Sequence, residues 1–154
     1  MTSPPEVPFE SSLPFDARRA STGVVYCSDG RFGDAMEEFL FEALELDRYD
    51  RLVVPGGPGC LAGHPQVWRD EEIASGMLRF LHDAHHLERI VLVSHEDCGF
   101  YAQRLGVSRG EMEPLQLEDL RKAAVRIRAF AHGLVVETYY ARCATGKVRV
   151  ERVD

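Results

Sequence analysis

The sequence predicts an α/β fold in which a mostly parallel central sheet is flanked by helices and ends in an antiparallel strand at its C-terminal edge. Short apolar runs typical of buried strands alternate with segments of helical spacing, which is the pattern of a parallel sheet covered on both faces. A turn then leads into a final run that alternates apolar and charged residues, as a half-exposed edge strand does.

The first half of the chain predicts an arm, two strands and one helix. Residues 1–20 contain four prolines among polar residues and predict an extended arm ahead of a single domain at 21–154. Apolar runs predict strands at 23–27 and 51–54, the second of which ends in the turn sequence Pro-Gly-Gly-Pro-Gly. Between them, apolar residues recur every three or four positions and predict a helix over 34–46.

The second half continues the alternation of helices and strands. Apolar spacing of three or four predicts the helices, and runs of β-branched and aromatic residues predict the strands. In chain order these elements are helix 71–86, strand 89–93, helix 100–105, a polar loop at 107–114, helix 115–132, strand 134–140, a hairpin turn at 145–147 and edge strand 148–153.

Composition limits the class of protein and its partners. The chain has 154 residues, of which 45% are apolar and 28% charged, and a net charge of −7 that argues against nucleic acid or an anionic membrane. No apolar stretch approaches the about 20 residues of a membrane helix, and no secretory signal is visible. We therefore expect a cytoplasmic protein with a small-molecule substrate, in which four cysteines favour a metal site or catalysis over disulfides.

Three residues with metal-binding side chains follow two of the predicted strands. Cys27 ends the first strand, and His95 and Cys98 come just after the strand at 89–93. Because ligand sites form at the carboxyl ends of parallel strands, these side chains should meet at one edge of the sheet. Two thiolates and one imidazole form a site that Zn²⁺ prefers, so we expect one zinc ion per chain.

The fourth position on the metal decides the chemistry. Asp29 lies two residues after Cys27 and could close the site as a fourth ligand. Arg31 lies two residues further on and could instead hold Asp29 in a bidentate pair, away from the metal. In that case the fourth ligand is a water molecule whose pKa falls to about 7.

These motifs resemble those of a known family. Cys27-x-Asp29-x-Arg31 together with His95-x-x-Cys98-Gly99 is similar to the zinc signature of the β-class carbonic anhydrases. The segment at 81–99 resembles their helix, strand and metal loop, and 133–153 resembles their closing hairpin.

The resemblance implies fold, cofactor and reaction. It implies a parallel sheet flanked by helices, zinc on Cys27, His95 and Cys98, and a catalytic pair formed by Asp29 and Arg31. It also implies a homodimer or a higher homo-oligomer and the reversible hydration of CO₂ to bicarbonate by zinc-bound hydroxide.

The chain departs from the family pattern at three places. Gly30 stands where the family has serine, as in a shorter branch with the motif C-x-D-G-R-F. The turn at 55–59 replaces a stretch of the type Arg-Asn-Ala-Gly-Asn, and the first 65 residues contain no glutamine to bind the substrate.

Two alternative functions stay open at this point. The first is a zinc-binding relative that does not hydrate CO₂, either a hydrolase of another small substrate or a protein with a structural or sensing zinc. The second is a thiol hydrolase that uses Cys98, because residues 49–57 are also similar to the second strand and turn of the DJ-1 and class I amidotransferase superfamily.

Other candidate residues have both a functional interpretation and a purely structural one. Residues beside the metal motifs could line a substrate pocket or belong to the core; these are Phe32, Gly57, Gly99 and Tyr101. Further groups could bind a metal, although exposed helix ends and loop residues are the simpler interpretation; these are Cys60 and His64 after the glycine turn, and His82, His85 and His86 at the end of a helix.

Overall fold

Five strands form one mixed sheet in the order β2-β1-β3-β4-β5 in the computed structural model, which describes residues 7–153. The first four strands are parallel, and β5 pairs antiparallel with β4 at the edge. The strands are β1 (Thr22–Cys27), β2 (Asp50–Val54), β3 (Arg89–His95), β4 (Val135–Ala144) and β5 (Lys147–Val153). The predicted fold class, including the antiparallel edge strand, is confirmed.

Helices cover both faces of the sheet. They are α1 (Gly33–Glu38), which continues as a π-helical segment at Phe39–Ala43, α2 (Trp68–His85), α3 (Gly99–Gln103) and α4 (Arg109–Phe130). Two short 3₁₀ segments lie between β2 and α2, at Gly57–Leu61 and Pro65–Val67.

The core has two apolar layers because successive side chains of a strand point to opposite faces. On β3, Ile90 and Leu92 pack with the layer that α2 and α4 cover. Val91 and Val93 pack with the layer that α1 covers. A strand that is buried on both faces consists of consecutive apolar residues, and the sequence of β3 has this pattern.

The predicted start of the last helix is wrong, and the strands predicted at 89–93 and 134–140 continue to His95 and Ala144. The loop predicted at 107–114 is helical from Arg109 onward, so α4 begins six residues before the predicted start of helix 115–132. Ser108 has an extended backbone, and its hydroxyl group donates a hydrogen bond to the carboxylate of Glu111. The sequence Ser-x-x-Glu has the spacing of a capping box, but here the Ser108 side chain bonds to the Glu111 side chain and makes no hydrogen bond to the main chain of the first turn.

The N-terminal arm is described from residue 7 onward, and residues 1–6 lie outside the described part of the chain. Residues 7–19 are exposed and contain no helix or strand, whereas Ala20 is buried against the sheet. Asp16 in this arm forms a bidentate ion pair with Arg18. The division into an arm at 1–20 and a domain at 21–154 stays a prediction. Within residues 7–153, no helix is both long and apolar enough to cross a membrane.

The glycine turn after β2 packs against the end of β1. Gly56 and Gly57 have φ values of +79° and +50°, in the left-handed region that favours glycine. A Cβ atom at Gly57 would lie 2.8 Å from the main-chain nitrogen of Cys27. The turn therefore approaches β1 closely because it has no side chain there.

We predict that Gly57→Ala lowers the free energy of unfolding by about 2 kcal/mol, through backbone strain and overlap with β1. The matched control is Gly110→Ala in α4, where an added Cβ meets nothing within 4 Å and φ is not positive. This control should be neutral or stabilising by up to about 1 kcal/mol. Urea denaturation of both variants checks the prediction, and equal stability of the two would contradict it.

Candidate metal centre

The two cysteines and the histidine predicted as ligands lie together at the carboxyl ends of β1 and β3. Within residues 7–153, Cys27, His95 and Cys98 form the one group of three or more potential metal ligands, and their ligand atoms all lie within 4.8 Å of one another. The two sulfur atoms are 3.9 Å apart. His95 and Cys98 are 1% exposed, and Cys27 is 9% exposed.

The strand register explains this convergence. β1 and β3 are parallel neighbours, and Tyr26 pairs with Val93, so Cys27 ends its strand beside the end of β3. After His95 the chain turns through Asp97, which has a φ of +52°. That turn places Cys98 at the N-terminal boundary of α3, where its side chain points back toward Cys27.

The imidazole of His95 has a defined tautomer. Its Nδ1 lies 2.7 Å from the main-chain oxygen of Glu96, which can only accept, so Nδ1 carries the proton. Nε2 is then an acceptor, and it is buried without a hydrogen-bond partner. An unpartnered buried acceptor beside two sulfur atoms is what a site for a soft divalent cation offers.

The thiol groups of Cys27 and Cys98 share one hydrogen bond. The Cys98 thiol donates to the Cys27 sulfur, which lowers the pKa of Cys27 to about 4 despite burial. The same hydrogen bond, together with burial, raises the pKa of Cys98. The main-chain amide of Gly56 donates to the Cys27 sulfur at 3.3 Å and further stabilises the thiolate. A divalent cation would replace the proton between the two sulfur atoms, and two thiolates with a neutral imidazole fit Zn²⁺.

Asp29 and Arg31 form the predicted bidentate pair. The guanidinium Nη2 of Arg31 lies 2.7 Å from Asp29 Oδ2, and Nε lies 3.1 Å from both carboxylate oxygens. These hydrogen bonds lower the pKa of Asp29 to about 2, so the carboxylate is ionised at neutral pH. Arg31 also donates to the main-chain oxygen of Asp97 at 3.0 Å and so joins the two halves of the site.

The position of Asp29 bears on whether its carboxylate could be the fourth ligand of a metal ion. Its Oδ2 lies 3.9 Å from Nε2 of His95, close to the donor cluster. Both of its carboxylate oxygens accept hydrogen bonds from Arg31, including one from the main-chain amide at 3.0 Å. Asp29 is therefore held by Arg31 beside the cluster in this structure.

The four predicted pocket residues have different surroundings. The ring of Phe32 lies against the imidazole of His95, with centroids 4.3 Å apart. Gly57 touches the main chain of β1 at Cys27, and Gly99 begins α3. Tyr101 is fully buried, and its hydroxyl group donates to Asp119 at 2.7 Å. Whether these residues line a substrate pocket stays a prediction.

The remaining candidates lie outside the metal cluster. The imidazole of His64 bonds to Asp119 with Nε2 and Oδ2 2.6 Å apart, while the thiol of Cys60 donates to the main-chain oxygen of Pro55. Two of the histidines at the end of α2 have separate carboxylate partners: His82 bonds to Asp83 and His85 to Asp50. Cys143 is exposed on β4.

Sequence reasoning missed several contributors to the site. The amide of Gly56 and the carbonyl of Asp97 act through the main chain, which leaves no side-chain signal. Gln116 donates from its side chain to the main-chain oxygen of His95 at 2.8 Å. Its signal is readable, because a glutamine interrupts the buried stripe between Met112 and Leu120, which lie four residues on either side.

Comparison with known proteins identifies the class and then the family. Three solved structures share the fold. They are a carbonic anhydrase from Streptococcus mutans (19% identity, 95% of this chain and 88% of that chain, TM-score 0.53), one from Glaciozyma antarctica (15%, 93% and 86%, 0.58) and a β-carbonic anhydrase from Trichomonas vaginalis (16%, 92% and 87%, 0.54). The class that these structures define is one of fold: at identities of 15% to 19%, they show that this chain shares the fold of solved carbonic anhydrases.

The sequence itself gives the family. Residues 17–154 match the family model described as "Putative carbonic anhydrase". The chain belongs to this family, so the resemblance found in the sequence is confirmed. An uncharacterized protein of Rickettsia bellii is 26% identical over 139 residues, which cover 80% of this chain and 84% of the relative. An uncharacterized protein of Rickettsia conorii is 23% identical over 110 residues, which cover 71% of this chain and 58% of the relative.

We predict that Cys98→Ser abolishes stoichiometric zinc binding, because a serine hydroxyl is a poor ligand for Zn²⁺ and the thiolate pair is lost. The matched control is Cys143→Ser, which alters the exposed cysteine and should leave one zinc ion per chain. Metal analysis of protein purified with zinc checks both, alongside circular dichroism to confirm folding. Full zinc content in folded Cys98→Ser protein would contradict the prediction.

Proposed function

We propose that this chain is a zinc enzyme that catalyses the reversible hydration of CO₂ to bicarbonate. Membership of a carbonic anhydrase family and the cluster of Cys27, His95 and Cys98 support the proposal. The observation that carries it is the bidentate pair of Asp29 and Arg31, which keeps a carboxylate beside the cluster without using it as a ligand.

The three donors of the cluster would hold the zinc ion. A bound zinc ion would lower the pKa of a water molecule and so would supply the nucleophile for CO₂. The thiolates of Cys27 and Cys98 would offset the charge of the ion, and the proton on Nδ1 of His95 directs its free nitrogen to the metal.

The carboxylate of Asp29 would orient the nucleophile. It is ionised and only partly exposed, and it accepts hydrogen bonds from Arg31 through both oxygens. Each carboxylate oxygen has two lone pairs, so a further donor can be accepted on the side that faces His95. Arg31 in turn is held by the carbonyl of Asp97, which keeps the guanidinium between the two ligand loops.

An apolar surface for a small neutral substrate adjoins this pair. Phe32 is buried against the imidazole of His95, and a Cβ atom added at Gly99 would meet nothing within 4 Å, so there is open space beside the start of α3. The side chain of Tyr101 packs against Gly59 of the glycine turn. A Cβ atom added at Gly59 would lie 2.5 Å from the hydroxyl oxygen of Tyr101. CO₂ is small, neutral and apolar, and these surroundings suit it.

The geometry gives less support to a thiol hydrolase. Cys98 is 1% exposed, and its pKa is raised because its thiol donates to Cys27. A cysteine nucleophile requires a lowered pKa and access to its substrate. A structural or sensing zinc with Asp29 as its fourth ligand would require that carboxylate to leave Arg31, so this alternative also has less support.

We propose a homodimer, or an assembly of dimers, as the working form. Ile73, Met77 and Phe80 form an apolar stripe on α2, and their side chains are 59%, 50% and 66% exposed. The stripe borders a groove of about 600 Å³ that extends to Leu52 of β2. An apolar groove of this size on a small domain favours contact with a second copy. We also propose that the protein works in the cytoplasm, where its thiols stay reduced.

We predict that zinc-loaded protein hydrates CO₂ and that Asp29→Asn lowers kcat/KM on the order of 100-fold, because the amide does not provide the charge that orients the nucleophile. Activity of the unaltered chain should rise from pH 6.5 to 9 as the metal-bound water loses its proton. Stopped-flow measurement on protein of known zinc content checks both results.

The chain offers a matched control for this substitution. Asp16 and Arg18 repeat the Asp-x-Arg pair with the same bidentate hydrogen bonds, but they lie in the N-terminal arm. Asp16→Asn should keep full activity. Zinc-loaded protein that is inactive at every pH, or Asp29→Asn protein as active as the control, would contradict the proposal.

We predict that Met77→Glu shifts the protein from dimer to monomer, because it places a charge in the middle of the apolar stripe. Val125→Glu on α4 is the control, since Val125 is 65% exposed but lies on another helix. Sedimentation velocity measures the mass of each. The proposed interface is wrong if the unaltered chain is a monomer or if both variants stay dimeric.

A further inference from the structure

A buried glutamine connects α4 to the metal-binding histidine. Gln116 is 1% exposed and makes two hydrogen bonds. Its side-chain nitrogen donates to the main-chain oxygen of His95 at 2.8 Å, and its side-chain oxygen accepts from the hydroxyl group of Tyr140 at 2.9 Å. Three elements that are distant in sequence, β3, α4 and β4, therefore meet at one amide group.

The orientation of this amide is determined by its neighbours. The main-chain oxygen of His95 can only accept a hydrogen bond, so the NH₂ group of Gln116 must face it. The carbonyl oxygen of Gln116 then faces Tyr140, whose hydroxyl group must donate. Both hydrogen bonds are shielded from water, where losing a partner leaves a buried polar group unsatisfied.

The same face of α4 reaches the second ligand of the metal loop. Met112, one turn before Gln116, accepts the main-chain N–H of Cys98 on its sulfur at 3.3 Å. Between these two contacts, the loop passes through Asp97 in a left-handed conformation that a residue with a Cβ rarely adopts. A strained loop keeps one conformation only where its surroundings hold it, and α4 holds it at both ends.

We propose that Gln116, oriented by Tyr140, is a positioning residue that fixes the main chain at His95 and thereby raises the affinity of the cluster for zinc. The amide does not contact the metal ligands' donor atoms; it acts through the carbonyl group at the end of β3. The inference rests on the proposed zinc site, but it does not depend on CO₂ as the substrate.

A purely structural role for Gln116 would predict a different result. If the amide served only to stabilise the core, its removal would lower the free energy of unfolding without a specific effect on the metal. The control for that case is Ile127→Ala, which opens a cavity in the buried face of the same helix. Ile127 lies eleven residues further along α4, about 16 Å away along the helix axis.

The test uses two variants of the network. Gln116→Met keeps the length of the side chain and removes both hydrogen bonds, whereas Tyr140→Phe removes only the group that orients the amide. Zinc dissociation constants are measured by competition with a chromophoric chelator, and urea denaturation gives the stability of each metal-free protein. The visible spectrum of the Co²⁺-substituted proteins reports the ligand geometry independently of activity.

We expect Gln116→Met to weaken zinc binding on the order of 10- to 100-fold and Tyr140→Phe about threefold to tenfold, with altered Co²⁺ spectra. Ile127→Ala should bind zinc within about threefold of the unaltered chain, although it costs about 2–5 kcal/mol of stability. If Gln116→Met does not fold, Tyr140→Phe alone decides the outcome.

Two results would overturn the inference. In the first, both network variants have the zinc affinity and the Co²⁺ spectrum of the unaltered chain. In the second, they lose no more zinc affinity than Ile127→Ala does. Either result would mean that Gln116 only stabilises the core. These results would leave the proposed function intact. If the unaltered chain bound no zinc, the proposed function and the inference would both fail.

Discussion

The rest of the structure depends on one constraint: two sulfur atoms and one unpartnered imidazole nitrogen are buried at the ends of two adjacent strands. A lone pair without a donor and a thiolate without a cation are both unfavourable in a region shielded from water. The hydrogen bond between Cys27 and Cys98 partly relieves this cost. Nε2 of His95 has no such relief, and a divalent cation would satisfy all three groups at once.

The surrounding elements each hold one part of the cluster. The glycine turn after β2 comes close enough to β1 to give the Cys27 sulfur a main-chain donor. Arg31 holds Asp29 and contacts the loop between His95 and Cys98. Helix α4 supports the same loop from the opposite side through buried side chains. The fold therefore positions charge and hydrogen-bond donors around Cys27, His95 and Cys98, which the ends of β1 and β3 and the turn at Asp97 bring together.

The sequence predicted those features that depend on local pattern. The apolar runs of β1 and β3 and the charged alternation of β5 specify the parallel sheet and its edge, because burial on two faces or one leaves a different periodicity. The convergence of Cys27, His95 and Cys98 was predictable since parallel strands end at the same edge of a sheet. The predicted helix 115–132 starts too late because the first turn of α4 is polar and lacks the apolar spacing from which the helix was predicted.

The parts that escaped prediction depend on contacts between distant segments. The hydrogen bond from Gly56 to Cys27 and the one from Arg31 to Asp97 involve main-chain atoms, which have no side-chain signature. The pairing of Gln116 with Tyr140 joins residues that are 24 positions apart on a helix and a strand. Only the relative placement of α4 and β4 in the folded chain shows that this glutamine faces the metal loop.

The most direct test of the central claim is a crystal structure of zinc-loaded protein with anomalous data collected at the zinc edge. The account predicts one anomalous peak per chain, bounded by Cys27, His95 and Cys98, with Asp29 still paired to Arg31 and a solvent molecule as the fourth ligand. A peak elsewhere, or Asp29 bound to the metal, would contradict it.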